Sequence, residues 1–303
     1  MNKCDVYLYG MTVLSTMHLL KDDFPEPDSY GEIKETYNLP GGETGNSALV
    51  LSSFGCSVKI DGNYLGKNTK EAITKFFMQR NIDTTSLYYD ETFNGVEDLV
   101  IIDKKTRTVF GKFQAYFSDP ENCKRWSIPH KEDIMNAQIV GLDPFFFEES
   151  NQVARFCKEF GKKYVVIDCK PDTEMHQYAH ATIISNEFIK NNFPDKDIQE
   201  LYAEYIEATD GLVIFTFGGR DIYYGRKNQP INKIKPYKVE VKSTLGAGDT
   251  FKAGVLYGVL KEMNDKDIVS FAAATAGFVC SHFPFALNPP TVDQIYSLMN
   301  HEK

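Results

Sequence analysis

The sequence holds one tryptophan in 303 residues, no C-x-x-C pair among its six cysteines, and no internal repeat or low-complexity tract. Each shortage excludes something. Without paired spacing, Cys4, Cys56, Cys123, Cys157, Cys169 and Cys280 read as free thiols of a reducing cytoplasm, ahead of a disulfide framework or a metal site. No apolar run reaches the ~18 residues that a membrane span needs, so no membrane association is expected. The opening "MNKCDVYLYG" carries charge early and lacks the apolar core of a signal peptide. Basic charge is also short, with 33 Lys and Arg against 42 Asp and Glu and a net charge of −9. Nucleic acid is therefore not an expected partner, because phosphate contact needs clustered cations. A small anion held in one local pocket remains compatible with that charge.

What is present is the composition of an ordinary folded protein, 42% hydrophobic and 25% charged, which argues against a disordered or fibrous chain. The length suffices for one large α/β domain or two small ones. Strand-like and helix-like segments alternate, which predicts a sheet with helices on its faces. Strands are expected at "DVYLYG" (5–10), "SVKID" (57–61), "AQIVGL" (137–142), "KYVVID" (163–168), "ATIIS" (181–185) and "GLVIFTFGG" (211–219). Helices are expected at 45–55, 69–81, 148–161, 249–263 and 267–283, the last rich in small residues suited to tight packing. Two segments break the rhythm. Residues 11–37 are polar and turn-rich, and residues 93–117 hold two β-rich runs around "DKKT". They read either as a small accessory sheet or as a loop and an edge hairpin.

Two glycine clusters carry the chemistry. In "TLGAGDTF", Gly246, Ala247 and Gly248 leave backbone N–H groups unobstructed, and a helix starting there would point them at an anion. Asp249 at that helix start is either a cap or a base beside the anion. In "NLPGGETGNSALVLSSFG", Gly41 and Gly42 open a turn before a helix. Asn46 in its first turn can donate and accept toward ligand hydroxyls, or serve as a polar cap.

The pair "PGG-x-x-x-N" and "T-x-G-A-G-D-T-F", in that order and separation, resembles the two signatures of the PfkB (ribokinase-like) carbohydrate kinase family, and the stretches look most like ketohexokinase-type members. The resemblance implies a single ribokinase-like α/β domain over residues 1–303. Its central sheet would be mostly parallel with helices on both faces, and residues 11–37 and 93–117 would form a discontinuous β-rich lid. It implies phosphoryl transfer from ATP to a hydroxyl of a small sugar or sugar-like substrate. Asp249 would be the base, and Gly246, Ala247 and Gly248 the anion hole. Gly41, Gly42 and Asn46 would hold substrate hydroxyls, Mg2+ would accompany ATP, and a K+ requirement is left open. Thr216 and Gly218 match the family's nucleotide-lining T-x-G, and Thr244 stands before the glycine loop. Asn186 matches the Asn of N-x-x-E, with a plain strand-end turn as the equal alternative. Lys170 reads as a solvated loop lysine or as a cation for phosphate. In several members the lid also pairs two chains, so a homodimer through the lid is open. The C-terminal "SHFPFALNPPTVDQI" is expected near the nucleotide.

Several positions depart from the family pattern. Ser15 stands where an Asp usually holds sugar hydroxyls, with Asp22 or Asp23 as replacements from the lid. Ile189 replaces the Glu of N-x-x-E, while Glu187 next to Asn186 is expected to point elsewhere. Ser243 replaces the Asp opening the anion-hole signature, and Asp221 stands where Gly is common. These changes sustain two other readings. One is a nucleoside kinase using Tyr30, Tyr37, Phe113, Tyr116 or Phe117 to stack on a base. The other is a ligand-binding pseudoenzyme on the same fold.

Overall fold

Alternation of side chains along each strand decides the architecture. A computed structural model describes residues 3–104, 106–113, 116 and 124–301. In β1 (Cys4–Gly10), Val6 and Leu8 enter one apolar cluster while Tyr7 and Tyr9 enter another. Both faces of the strand are thus buried, as in a parallel sheet covered by helices on each side. The same split recurs in β9 (Lys163–Ile167), with Val165 and Ile167 on one side and Tyr164 and Val166 on the other.

The nine-stranded sheet runs in the order β13 (Asn232–Ile234), β12 (Ile222–Gly225), β11 (Leu212–Thr216), β10 (Ala181–Ser185), β9, β8 (Ala137–Leu142), β1, β4 (Val58–Gly62) and β5 (Ile82–Asp83). From β5 to β11 every pairing is parallel, and only β12 and β13 join antiparallel. One face packs against α1 (Glu43–Ser53), α2 (Lys70–Met78), α8 (Ala247–Leu260), α9 (Asp265–Cys280) and α10 (Val292–His301). The other packs against α3 (Lys131–Asn136), α4 (Phe147–Glu159), α5 (Glu174–Gln177), α6 (Asn186–Asn192) and α7 (Ile198–Glu207). The small residues expected to pack tightly, Ala272 to Ala274 in α9, are buried. Helices and strands fall within a few residues of the spans read from the sequence.

A second sheet of four strands has the order β3 (Ile33–Gly41), β2 (Val13–Leu20), β6 (Glu97–Ile102) and β7 (Arg107–Gly111). These are the two segments that broke the alternating rhythm, and β3 runs beyond residue 37 to Gly41. Within the 93–117 segment, residues 105, 114, 115 and 117 lie outside the described residues. β2 and β6 are parallel and set Ser15 opposite Asp98. One side of this sheet is continuous with the main core through Met17, Leu39, Val100 and Ile102, with Val109 opposite Val100 lining the cavity on that side, while Ile33 and Phe110 are exposed. Cys4, Cys56, Cys157, Cys169 and Cys280 are free thiols, and Cys123 lies outside the described residues. Among the described residues, no helix is long and apolar enough to cross a membrane.

A fully buried ion pair sits inside this frame. Lys252, in the otherwise apolar middle of α8, is fully buried and paired with the equally buried Asp143 just after β8. Asp143 also accepts from Thr44 Oγ1 at 2.8 Å and from the Met11 N–H at 3.1 Å. Lys252→Met strands that carboxylate without a cation, and the expected cost in urea unfolding is about 3–5 kcal/mol. Adding Asp143→Leu recovers part of the loss. Equal stability of Lys252→Met and wild type would show that the pair is not structural.

Candidate active site

Two helices open toward one place, and both begin on glycine. Gly246 caps α8 with φ 75 and no side-chain capping bond. A Cβ there would be strained in the left-handed region and would stand 2.9 Å from Phe285 Cε1. Gly42 caps α1 with φ 83, and a Cβ there would lie 2.6 Å from the Met11 carbonyl oxygen. With no side chain spent on capping, first-turn N–H groups of α8 are offered to a ligand, and the helix dipole favours an anion there. The Ala247 N–H makes a long 3.3 Å bond to the Thr244 carbonyl.

Asp249 does not act as the cap. Its Oδ2 accepts from Asn46 Nδ2 at 2.7 Å, and its carbonyl accepts from Ser47 Oγ at 2.9 Å. These bonds tie α1 to the first turn of α8. Burial holds the Asp249 carboxyl above the usual carboxylate range. The Asn46 amide, Lys252 and Arg107 oppose that shift, and Asp143 adds to it. Glu43, in the first turn of α1, is pushed well above its ordinary value by burial, then by Asp249 and Asp143. Arg107 reaches over from β7 and donates through Nη1 to Thr244 Oγ1 at 2.7 Å.

A cavity of about 2470 Å³ gathers the candidate base and anion-hole residues together with the candidate substrate and nucleotide residues. Ser15, Gly41, Gly42 and Asn46 line it from the small sheet and α1. Gly246, Ala247, Gly248, Asp249 and Thr244 line it at the start of α8. Lys170, Asn186, Thr216 and Gly218 line it beyond the carboxyl ends of β9, β10 and β11, where open parallel sheets place ligands. Lys170 is exposed, and Asn186 Oδ1 accepts from Arg220 Nη2 at 3.0 Å. His282, Phe283 and Phe285 bring the C-terminal segment into the same wall.

Some expectations need correcting. Glu187 lines the cavity instead of pointing away, because α6 starts at Asn186 and turns its second residue outward; Ile189 is instead buried in the core. Neither Asp22 nor Asp23 is among the described residues lining the cavity, and Asp22 pairs with Lys104 at 2.7 Å in an exposed position. Of the aromatic candidates, Phe113 lines the cavity. Tyr30 is 84% exposed, and Tyr37 packs edge-on against Phe283. Phe117 lies outside the described residues.

The sequence reading passed over several cavity residues. Asp168, at φ 53, accepts from the Ser185 N–H at 2.7 Å and from Ser185 Oγ at 2.8 Å, and burial pushes its carboxyl up to about 6. Asp98 is likewise pushed up to about 6 by burial, with the Ser15 hydroxyl opposing. Lys252 had a signal, a lone cation in an apolar helical run. Asp98 and Arg107 had none, because strand register alone brings them to the cavity. Among the described residues no three His, Cys, Asp or Glu are grouped to hold an ion. Asp168 and Glu187 suit a Mg2+ that brings most of its ligands as phosphate and water.

The chain matches the profile of the pfkB family carbohydrate kinases over residues 8–291. It is 26% identical over 295 residues to a nucleoside kinase of Methanothermobacter thermautotrophicus, covering 91% of this chain and 89% of that one. It is 22% identical over 300 residues to a 5-dehydro-2-deoxygluconokinase of Clostridium botulinum, covering 87% and 84%. Among solved structures, Arabidopsis thaliana ribokinase complexed with ribose and ATP superposes with a TM-score of 0.79 at 15% identity, covering 98% and 99%.

The raised Asp98 carboxyl has a signed consequence. Its proton is bound more tightly in the folded state, so stability is complete below the ordinary value of 3.8 and falls as pH rises through about 6. Asp98→Asn removes that fall. Thermal unfolding from pH 4 to 7 should show the variant gaining on wild type across the interval. Parallel curves would contradict the assignment.

Proposed function

The chain belongs to the pfkB family of carbohydrate kinases, and on that premise we propose that it moves the γ-phosphoryl group of ATP to a hydroxyl of a small sugar or sugar-like acceptor, with Asp249 as the base. The observation that carries this reading is the Asp249 carboxylate, fixed by Asn46 beside the uncapped start of α8. An acceptor hydroxyl seated along Gly41, Gly42 and Asn46 would give its proton to Asp249 as its oxygen attacks. N–H groups of Gly246, Ala247, Gly248 and Asp249 would take the charge growing on the transferring phosphoryl group. Such a group displaces the weak Ala247 turn bond because it is the stronger acceptor.

Arg107 and Thr244 add a cation and a hydroxyl at the same point. Their contact ties the small sheet to the anion loop, so we assign that sheet the role of a lid excluding water during transfer. Thr216, Gly218, Lys170 and Asn186 would line the nucleotide. Mg2+ entering with ATP would neutralise phosphate charge, with Asp168 and Glu187 placed to help hold it. Repeating the assay with Na+ in place of K+ reads any monovalent requirement. The exposed apolar Ile33 and Phe110 on the outer lid face support pairing of two copies there. Light scattering should report a dimer for wild type and a monomer for Phe110→Asp; a wild-type monomer ends that part of the reading.

In a coupled ADP-release assay, Asp249→Asn is expected to lose ~10²–10⁴-fold in kcat, while keeping Tm and binding of a non-hydrolysable ATP analogue. Because burial raises the Asp249 pKa, wild-type kcat/KM should fall on the acid side at a pH above that of a free carboxylate. Unchanged turnover in the variant would remove Asp249 from the role of base.

A further inference from the structure

Four buried side-chain polar atoms among the described residues have no hydrogen-bond partner, and three of them, Glu43 Oε2, Asp98 Oδ1 and Asn151 Oδ1, belong to residues lining the cavity. Buried polar atoms without partners cost stability, so a folded chain keeps them where a ligand completes them. All three are oxygens on carboxyl or amide groups, which call for donors.

Asp98 is the most sharply placed. Parallel pairing of β2 and β6 sets it opposite Ser15, whose hydroxyl favours the ionised form of its carboxyl. Ser15 Oγ is 3.4 Å, and Asn46 Oδ1 3.6 Å, from where a Gly41 side chain would begin. Asn46 in turn holds Asp249. A polar line therefore runs from Asp98 through Ser15 and Asn46 to the base, along a glycine that leaves the space open.

We propose that Asp98, facing Ser15 across the strand pair, grips the acceptor's hydroxyls and sets its class, selecting neutral polyols with adjacent hydroxyls over phosphorylated or carboxylated ones. This rests on the kinase reading above. At residue 15 the chain carries a neutral hydroxyl, and the carboxylate comes instead from the neighbouring lid strand. A buried carboxylate accepts from hydroxyls and repels phosphate or carboxylate on the acceptor. Two of the cations lining the cavity belong to β7 and the residue after it. Arg107 is engaged by Thr244 at the phosphoryl end, and Lys112 is exposed.

The test combines turnover with binding. Wild type, Asp98→Asn and Ser15→Ala are assayed with Mg-ATP against D-ribose, D-fructose and adenosine, and against ribose 5-phosphate, fructose 1-phosphate and gluconate. Calorimetry follows the same compounds with a non-hydrolysable ATP analogue, whose own binding certifies that each variant is folded. Wild type should prefer neutral acceptors. Asp98→Asn should raise their KM and Kd about tenfold or more, with kcat little changed and the margin over anionic acceptors reduced. Ser15→Ala should shift them the same way by less. Neutral acceptors unaffected by Asp98→Asn, an anionic acceptor preferred by wild type, or no neutral acceptor bound at all would each overturn the proposal. Binding that depends on Asp98 without turnover would sink the kinase reading and keep this one. Turnover indifferent to Asp98 would do the reverse.

Discussion

The buried pair between Lys252 and Asp143 is the contact on which the site depends. Asp143 follows β8, Thr44 belongs to α1, Met11 follows β1, and Lys252 lies one turn after Asp249 in α8. Four elements that share no sequence neighbourhood are thereby fixed around one carboxylate. Neither partner can leave without exposing the other's charge to an apolar interior, so the geometry is over-determined. The start of α8, with its open N–H groups, inherits that rigidity. Within the pair, Lys252 favours the ionised form of Asp249 while Asp143 opposes it, and burial of the site outweighs both.

A chain of net charge −9 offers an anion site without a basic surface. Backbone N–H groups, the helix dipole and one arginine reaching across from β7 supply the local attraction. Around them the wall carries carboxyls that burial holds above their ordinary range, at Asp249, Glu43, Asp98 and Asp168. Such groups lower the stability of the empty protein and are retained where binding or proton transfer uses them. Their clustering in one cavity ties the cost to the function.

The small sheet contributes more than a cover. β2 and β3 carry Ser15 and Gly41, β6 carries Asp98, and β7 carries Arg107. On the proposed reading, that single layer would present an acceptor-binding edge and a phosphate-directed cation. Its inner side merges with the main core through Met17, Leu39, Val100 and Ile102, so its position over the cavity is held by apolar contact as well as by the Arg107 bond to Thr244.

Local rules were enough for much of this protein. Continuous apolar runs such as "KYVVI" are legible as buried parallel strands because both faces need covering, and glycines before "DTF" and "ETGN" are legible as helix starts that leave N–H groups open. The candidate base and the two glycine elements were readable for the same reason, since their chemistry lies in a few adjacent residues. What stayed hidden depends on contacts between distant segments. No local pattern shows that Asp98 would face Ser15, that Arg107 would reach Thr244, or that Glu187 would turn into the cavity while Ile189 enters the core. Strand register, helix phase and burial decide those, and they exist only once the chain has folded on itself.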